Sequence, residues 1–136
     1  MTVGRAAPPT PSGKWAASFR SYDGAHVGEL TRSDRCIQTK QDLQALIASE
    51  EPVIVKYTAS WCPPCQAIAP VFEILAHENP TIHMVEVDVD SNRESAEAAN
   101  VQSVPTFELY LRGVLTYKFS SADKKKLLKM VAQAKA

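Results

Sequence analysis

Two cysteines in a C-x-x-C motif are the residues of this chain best suited to chemistry. They lie in "KYTASWCPPC" at residues 56–65, where Trp61 directly precedes Cys62 and Cys65 follows three residues later. Such a pair can belong to a zinc site, form a structural disulfide, or alternate between a dithiol and a disulfide as a redox pair. Each of these uses requires different surroundings in the rest of the sequence.

Zinc binding and a purely structural disulfide are the weaker interpretations of this motif. A structural zinc site needs four nitrogen or sulfur ligands, commonly supplied by two paired motifs. The chain has one C-x-x-C motif, and neither Cys36 nor the histidines have the spacing of a second pair. A bridge between Cys62 and Cys65 closes so short a loop that it constrains the unfolded chain very little.

Redox chemistry has direct support from the elements predicted around the pair. The apolar, β-branched run "VIVKY" (53–57) is typical of a buried parallel strand, and apolar residues recur at helical spacing after Cys65. Cys62 therefore lies where a helix begins, and the unpaired amides and dipole there favour a thiolate. That thiolate attacks a substrate disulfide, and Cys65 then attacks Cys62 and releases the reduced substrate. A C-x-x-C motif after a strand is a specific signal for this chemistry.

The remaining patterns predict an alternating α/β chain from Cys36 onward, in the order βαβαβαββα. Such alternation implies right-handed crossovers and a sheet covered by helices on both faces, and a closing hairpin makes the sheet mixed. The predicted strands are 35–38, 53–57, 83–89, 106–111 and 114–119. Capping boxes are predicted to open three of the helices, formed by Thr39 with Asp42, Ser91 with Glu94, and Ser120 with Asp123.

Length and composition fit one folded domain behind an extension. The chain has 136 residues, and residues 1–34 begin with a stretch rich in Pro, Gly and small side chains. We therefore predict a disordered N-terminal extension over 1–34 and a folded domain over 35–136. Basic residues precede the first acidic one, so a mitochondrial transit peptide is the alternative for the extension.

Charge and cysteine usage narrow the expected partners and compartment. The formal net charge is zero, which favours neither nucleic acid nor an anionic membrane as a partner. No apolar run approaches the roughly 20 residues that a membrane-spanning helix needs. Three cysteines are too few for a secreted disulfide scaffold, so a reducing compartment is expected, by default the cytoplasm. Cys36, on the predicted first strand, should behave as a small buried residue rather than as a regulatory thiol.

These motifs resemble those of the thioredoxin family. The resemblance is carried by "VIVKYTASWCPPCQAIAP" and "SVPTFELYLRG", and it extends over roughly three-quarters of the chain. The segment "TASWC" is similar to cytosolic eukaryotic members, including plant h-type thioredoxins. The resemblance implies a thioredoxin fold and an oxidoreductase that reduces protein disulfides. It also implies that Cys62 is the nucleophile and Cys65 the resolving thiol.

The resemblance further implies a surface on which protein substrates dock. Trp61 corresponds to the family's indole beside the disulfide. Pro105 corresponds to its cis-proline, whose loop faces the cysteines and pairs through the backbone of Val104 with an extended substrate. Ser121 stands where the family usually has a glycine on this surface. A side chain there would narrow the choice of partner, unless Ser120 and Ser121 serve only as a helix cap.

The dipeptide between the cysteines departs from the family's commonest pattern. Pro63 and Pro64 stand where most thioredoxins have Gly-Pro. Prolines fix the backbone of the first helical turn and remove amide donors near the sulfurs. We therefore expect a shifted redox potential, and we count both prolines among the residues that face substrate.

A second departure concerns a charged pair behind the cysteines. Lys56 occupies the position of a buried aspartate that is thought to relay the proton of the resolving cysteine. Glu86 occupies the position of the lysine that commonly faces it, so the two signs are exchanged. In one interpretation Lys56 and Glu86 tune the ionisation of Cys65 or relay its proton. In the other they only compensate each other's charge, or the Lys56 stem reaches solvent.

The resemblance finally implies partners for the protein, and two alternative functions remain open. It implies no tightly bound cofactor, electrons from NADPH through thioredoxin reductase, disulfide-containing protein substrates such as peroxiredoxins, and a monomer. A tryparedoxin-like or specialised thioredoxin with another electron donor is one rival, which Pro63 and Pro64 keep open. A thioredoxin-fold binding module is the other, and the intact Cys62 and Cys65 argue against it.

Overall fold

A computed structural model describes residues 35–136 of the chain. The predicted disordered extension and the transit-peptide alternative at 1–34 lie outside the described residues. Within 35–136, no helix has both the length and the apolar character that crossing a membrane requires. The helices are α1 (Lys40–Ile47), α2 (Pro63–Glu78), α3 (Arg93–Ala98) and α4 (Lys124–Lys135), and the strands are β1 (Val53–Thr58), β2 (His83–Asp88), β3 (Thr106–Leu111) and β4 (Val114–Phe119).

The four strands form a mixed sheet in the order β2-β1-β3-β4. β1 runs parallel to β2 and antiparallel to β3, and β3 pairs with β4 as an antiparallel hairpin. Arg112 and Gly113 turn this hairpin with φ of 51° and 82°, the left-handed conformation that tight hairpin turns need. The predicted mixed α/β sheet is therefore confirmed.

The predicted first strand is shorter than expected. Cys36 makes a single parallel bridge with Glu86, and the amide of Ile37 donates to the Glu86 carbonyl at 2.8 Å. Thr39 already caps α1, so the extended segment has no residues left with which to continue pairing. Cys36 is also half-buried rather than buried, as expected for a residue at the margin of a sheet.

Alternation along the strands builds one apolar core on each face of the sheet. Ile54 on β1 faces the core under α2 and α4, which includes Phe72 and Leu127. Its neighbours Val53 and Val55 face the other core, which lies under α1 and α3. The prediction of helices on both faces is thus confirmed, and each face carries its own set of buried polar groups.

The predicted helix caps are correct for one helix and wrong for two. Thr39 accepts the amide of Asp42 at 3.1 Å and caps α1 as predicted. Asn92, rather than Ser91, caps α3. Asp123 caps α4 by accepting two amides at 2.9 and 3.2 Å, whereas the Ser120 hydroxyl bonds to that of Thr106 at the start of β3. In both failures an Asn or Asp closer to the helix supplies the acceptor.

Candidate active site

The cysteine pair lies at the junction between β1 and α2. β1 ends at Thr58, a short loop follows, and Cys62 is the N-cap residue of α2. Cys62 and Cys65 are joined by a disulfide, and each is only 2% exposed. The structure therefore brings together the two thiols that the sequence pairs, in their oxidised state.

Prolines leave one early helix amide for the Cys62 sulfur. Pro63 and Pro64 fill the first two helical positions and have no N–H group. The amide of Cys65 is the first donor of the helix, and it lies 3.1 Å from Cys62 Sγ. The next amide, that of Gln66, is bonded to the Cys62 carbonyl at 3.2 Å. In the reduced protein the Cys65 amide and the helix dipole would stabilise a thiolate at Cys62.

The loop that ends at Pro105 faces this sulfur. The Val104–Pro105 bond is cis, as predicted, and the Val104 carbonyl oxygen lies 3.7 Å from Cys62 Sγ. The Thr106 hydroxyl donates to the Ser103 carbonyl at 2.6 Å and lies 2.8 Å from the Ser120 hydroxyl. These bonds connect the loop to the segment that follows β4.

Trp61 presents its indole to solvent directly beside the cysteines. Its side chain is 64% exposed, and its Nε1–H donates to Asp90 Oδ2 at 2.7 Å. Asp88 fixes Asp90 in turn, because Asp88 Oδ1 accepts the Asp90 amide at 2.8 Å. Sequence reasoning missed Asp90, although an aspartate directly after the predicted strand 83–89 was a usable signal.

Ser121 directly follows Ser120, whose hydroxyl lies beside that of Thr106, the residue after Pro105. It is half-buried, and its hydroxyl oxygen is enclosed with no hydrogen-bond partner among the described residues. Because Asp123 caps α4, the interpretation that Ser120 and Ser121 serve only as a helix cap is wrong.

Lys56 and Glu86 face each other on neighbouring strands, as the exchanged signs suggest. They are register partners, Lys56 Nζ lies 3.6 Å from Glu86 Oε2, and their side chains are 0% and 4% exposed. The alternative in which the Lys56 stem reaches solvent is therefore wrong. Lys56 Nζ also lies 4.8 Å from the ring centroid of Phe72. Phe72 and Cys65 are both buried residues of α2, separated by about 10 Å of helix axis.

A second ion pair connects the segment before α1 to α2. Arg35 Nη2 donates to Glu73 Oε1 at 2.9 Å, and the Arg35 side chain is 5% exposed. Arg35 adjoins Cys36, which bridges Glu86. Sequence reasoning missed Arg35 because its partner lies 38 residues away, on a helix face with no local signal. Among residues 35–136, no cluster of His, Cys, Asp or Glu is arranged to hold a metal ion.

Known proteins are similar to this chain in sequence and in architecture. The thioredoxin family model matches residues 35–134. A thioredoxin of Geodia cydonium is 43% identical over 79 residues, which are 57% of this chain and 74% of that protein. An H-type thioredoxin of Chlamydomonas reinhardtii is 39% identical over 95 residues, covering 68% of this chain and 84% of the relative. The X-ray structure of Fasciola hepatica thioredoxin gives a TM-score of 0.71 at 36% identity, over 74% of this chain and 98% of that one. The chain therefore belongs to the thioredoxin family and is a thiol–disulfide oxidoreductase.

Proposed function

We propose that this oxidoreductase reduces protein disulfides with Cys62 as the attacking thiolate and Cys65 as the resolving thiol. The observation that carries the assignment is the position of Cys62 Sγ, 3.1 Å from the Cys65 amide and 3.7 Å from the Val104 carbonyl. The amide stabilises a thiolate where α2 begins. The carbonyl belongs to a backbone segment that an extended substrate can pair with.

The proposed reaction passes two electrons to the substrate in two exchange steps. The Cys62 thiolate attacks one substrate sulfur, the substrate S–S bond breaks, and the leaving sulfur takes up a proton. Cys65 then gives up its proton and attacks Cys62. The mixed disulfide breaks, the second substrate thiol leaves with a proton, and the enzyme is left with the Cys62–Cys65 disulfide seen in the structure.

We assign substrate docking to the surface around the disulfide, hereafter the docking surface. Trp61 and the exposed Pro63 and Pro64 contribute rigid apolar area at its centre. Large, rigid side chains of this kind supply contact area at little cost in conformational entropy. The remaining members of the docking surface are Val104, Pro105 and Ser121.

We assign the buried pair of Lys56 and Glu86 to the ionisation of Cys65. An ammonium enclosed in the protein interior favours a thiolate through its charge, and a carboxylate can accept the proton that Cys65 releases, directly or through water. The support is the complete burial of Lys56 and its position under α2 at Phe72. Charge compensation without a role in catalysis is the alternative.

Membership of the thioredoxin family supports a proposal for how the enzyme is returned to its reduced state. Thioredoxin-family proteins are reduced by thioredoxin reductase and act on disulfide substrates. We propose NADPH as the electron source through such a reductase, peroxiredoxins as a class of substrate, a monomeric protein, and a cytoplasmic role in electron transport and cell redox homeostasis. A mitochondrial location is the alternative. A different dithiol donor is the rival for recharging, because Pro63 and Pro64 alter the turn that a donor must reach.

Insulin reduction with NADPH and thioredoxin reductase tests the proposed donor. Wild-type protein should precipitate insulin with continuous NADPH consumption, and Cys62→Ser should abolish both. A parallel reaction supplies dithiothreitol in place of the reductase. Turnover with dithiothreitol but none with the reductase would overturn the proposed donor and favour the rival. No turnover with either would contradict the reduction of protein disulfides and favour a binding module.

A further inference from the structure

A buried carboxylate lies on the sheet face opposite Lys56. The side chain of Glu108 on β3 is 1% exposed, and its Oε1 accepts the hydroxyl of Tyr110 at 2.8 Å and that of Tyr57 at 3.3 Å. Burial, reinforced by the nearby Glu108 carboxylate, raises the pKa of both phenols. Both tyrosines therefore remain hydrogen-bond donors at neutral pH.

Lys118 connects this carboxylate to the end of helix α3. It is the register partner of Glu108 across the β3–β4 ladder, and its Nζ lies 3.3 Å from Glu108 Oε2. The same ammonium donates to the carbonyl of Ala99 at 2.7 Å. Ala99 is the C-cap residue of α3, where carbonyls lack helical partners and a cation is favourable.

The docking loop, residues 100–105, begins where Lys118 bonds. Asn100 turns the chain out of α3 with a φ of 55°, and the loop ends at Pro105 opposite Cys62. At its far end the loop is held by the hydrogen bonds of Thr106. Backbone bonds from Asn100 and Val101 to the last turn of α3 also hold its start, but Lys118 provides the side-chain contact that connects this start to β4.

We propose that Lys118, held in place by Glu108, is a positioning residue for protein substrates. Its bond to Ala99 fixes the start of the docking loop and thereby the Val104 carbonyl that a substrate backbone meets. The inference rests on the proposed docking role of this loop. A small disulfide needs only access to Cys62, so loss of the Lys118 contact should impair protein disulfides selectively.

Stopped-flow oxidation of the reduced protein tests the proposal, with tryptophan fluorescence, to which Trp61 beside the disulfide contributes, as the signal. Insulin serves as the protein disulfide and dithiobisnitrobenzoate as the small one. The variants are Lys118→Met, Lys118→Arg, and the double variant Lys118→Met/Glu108→Gln, in which no buried carboxylate is left without its cation. Lys129→Met, an exposed lysine of α4, is the matched control.

The proposal expects a selective loss that depends on the ammonium contact. The insulin rate should fall about tenfold in Lys118→Met and in the double variant, the effect of one hydrogen bond to a charged donor. The dithiobisnitrobenzoate rate should equal that of wild type, and Lys118→Arg should recover the insulin rate. An unchanged insulin rate in the folded double variant, or an equal fall with both disulfides, would overturn the proposal. A wild type that reacts with neither disulfide would instead contradict the proposed function on which the inference rests.

Discussion

Lys56 places a buried ammonium beside the Glu86 carboxylate of the neighbouring strand. Transferring both charges of such a pair out of water costs free energy. The ion pair between Lys56 and Glu86 is therefore not expected to add much to the stability of the folded protein. Removing one partner is a different matter, because it leaves an uncompensated charge in the interior. The pair can therefore be tested separately for stability and for chemistry.

Lys56→Met and Glu86→Gln should each slow the resolution of a mixed disulfide by Cys65. Each change should also lower the free energy of unfolding, for Lys56→Met by about 3–5 kcal/mol, because Glu86 loses its buried partner. The measurements are urea unfolding and the pH dependence of product release after mixing with insulin. Glu73→Gln, which affects the more exposed Arg35 pair, is the control. If both variants resolve the mixed disulfide with the pH profile of the wild type, the pair only compensates charge and does not act on Cys65.

The sequence predicted some site residues and missed others for a physical reason. Cys62, Cys65 and Trp61 stand in one contiguous motif, and Lys56 was found because it stands six residues before Cys62 on a recognisable strand. Asp90 acts through a contact across 29 residues, which no local periodicity encodes. Side chains whose partners are brought near only by the fold require the fold to be known.

At the scale of elements, the first turn of α2 carries the chemistry. An N-cap side chain accepts amides from the second and third helical positions. Here the second position is Pro64, which has no N–H group. Of these two amides, only that of Cys65 can therefore donate to the Cys62 sulfur. A single substitution can restore the missing donor.

Pro64→Ala should raise the reduction potential by about 30 mV, the equivalent of one hydrogen bond to a charged sulfur. The restored amide stabilises the Cys62 thiolate, which exists only in the reduced state, and the looser turn favours the open dithiol as well. Equilibration with glutathione redox buffers measures the potential. Pro63→Ala is the matched control, because an amide at the first helical position does not point at the cap side chain. Equal reduction potentials in Pro64→Ala and the wild type would contradict the claim that Pro64 withholds an amide from the Cys62 thiolate.

The N-cap of helix α3 is Asn92 and not Ser91, and this assignment can be tested by mutation. Asn92 Oδ1 accepts the Ser95 amide at 3.3 Å, and Asn92 Nδ2 donates to the Ile37 carbonyl at 3.2 Å. Asn92→Ala should therefore lower the free energy of unfolding by about 2 kcal/mol, one cap plus one buried hydrogen bond. Ser91→Ala, at the cap position predicted from sequence, should have little effect in the same urea titrations. A larger loss in Ser91→Ala than in Asn92→Ala would restore the sequence-based assignment.

The existence and order of the elements followed from the sequence better than their ends did. The valine-rich runs and the helical stripes each depend on several residues, so one ambiguous residue does not change the prediction. Caps and the first strand depend on one or two side chains. At Ser120 the hydroxyl has a tertiary partner in Thr106, which overrides its local preference.

At the scale of the whole molecule, the sheet separates two sets of buried charges. The face under α2 carries Lys56 and Glu86, whereas the face under α1 and α3 carries Glu108 with its tyrosines and Lys118. We propose that the first set acts on proton transfer and the second on the docking loop. Changes on one face should therefore leave the other property intact.

The free energy of unfolding at alkaline pH should depend on the two tyrosines that bond to Glu108. Because the pKa of Tyr57 and of Tyr110 is raised in the folded protein, the unfolded state ionises first and folding loses stability as the pH rises above about 10. Each phenol should add a slope of about 1.4 kcal/mol per pH unit there, and below that pH their contribution should be constant. Urea unfolding across this range should show a smaller slope in Tyr110→Phe. Tyr117→Phe, on the opposite face, is the control, and equal slopes in the two variants would contradict the assignment.

Trapping the mixed disulfide tests the central claim most directly. Reduced Cys65→Ser is mixed with insulin, quenched in acid and analysed by intact mass and peptide mapping, with Cys62→Ser alongside. We predict a covalent insulin adduct through Cys62 in Cys65→Ser and none in Cys62→Ser, because Cys62 is the N-cap residue of α2 and its sulfur lies against the Val104 carbonyl of the docking loop. An adduct through Cys65 in Cys62→Ser, with none in Cys65→Ser, would contradict the account.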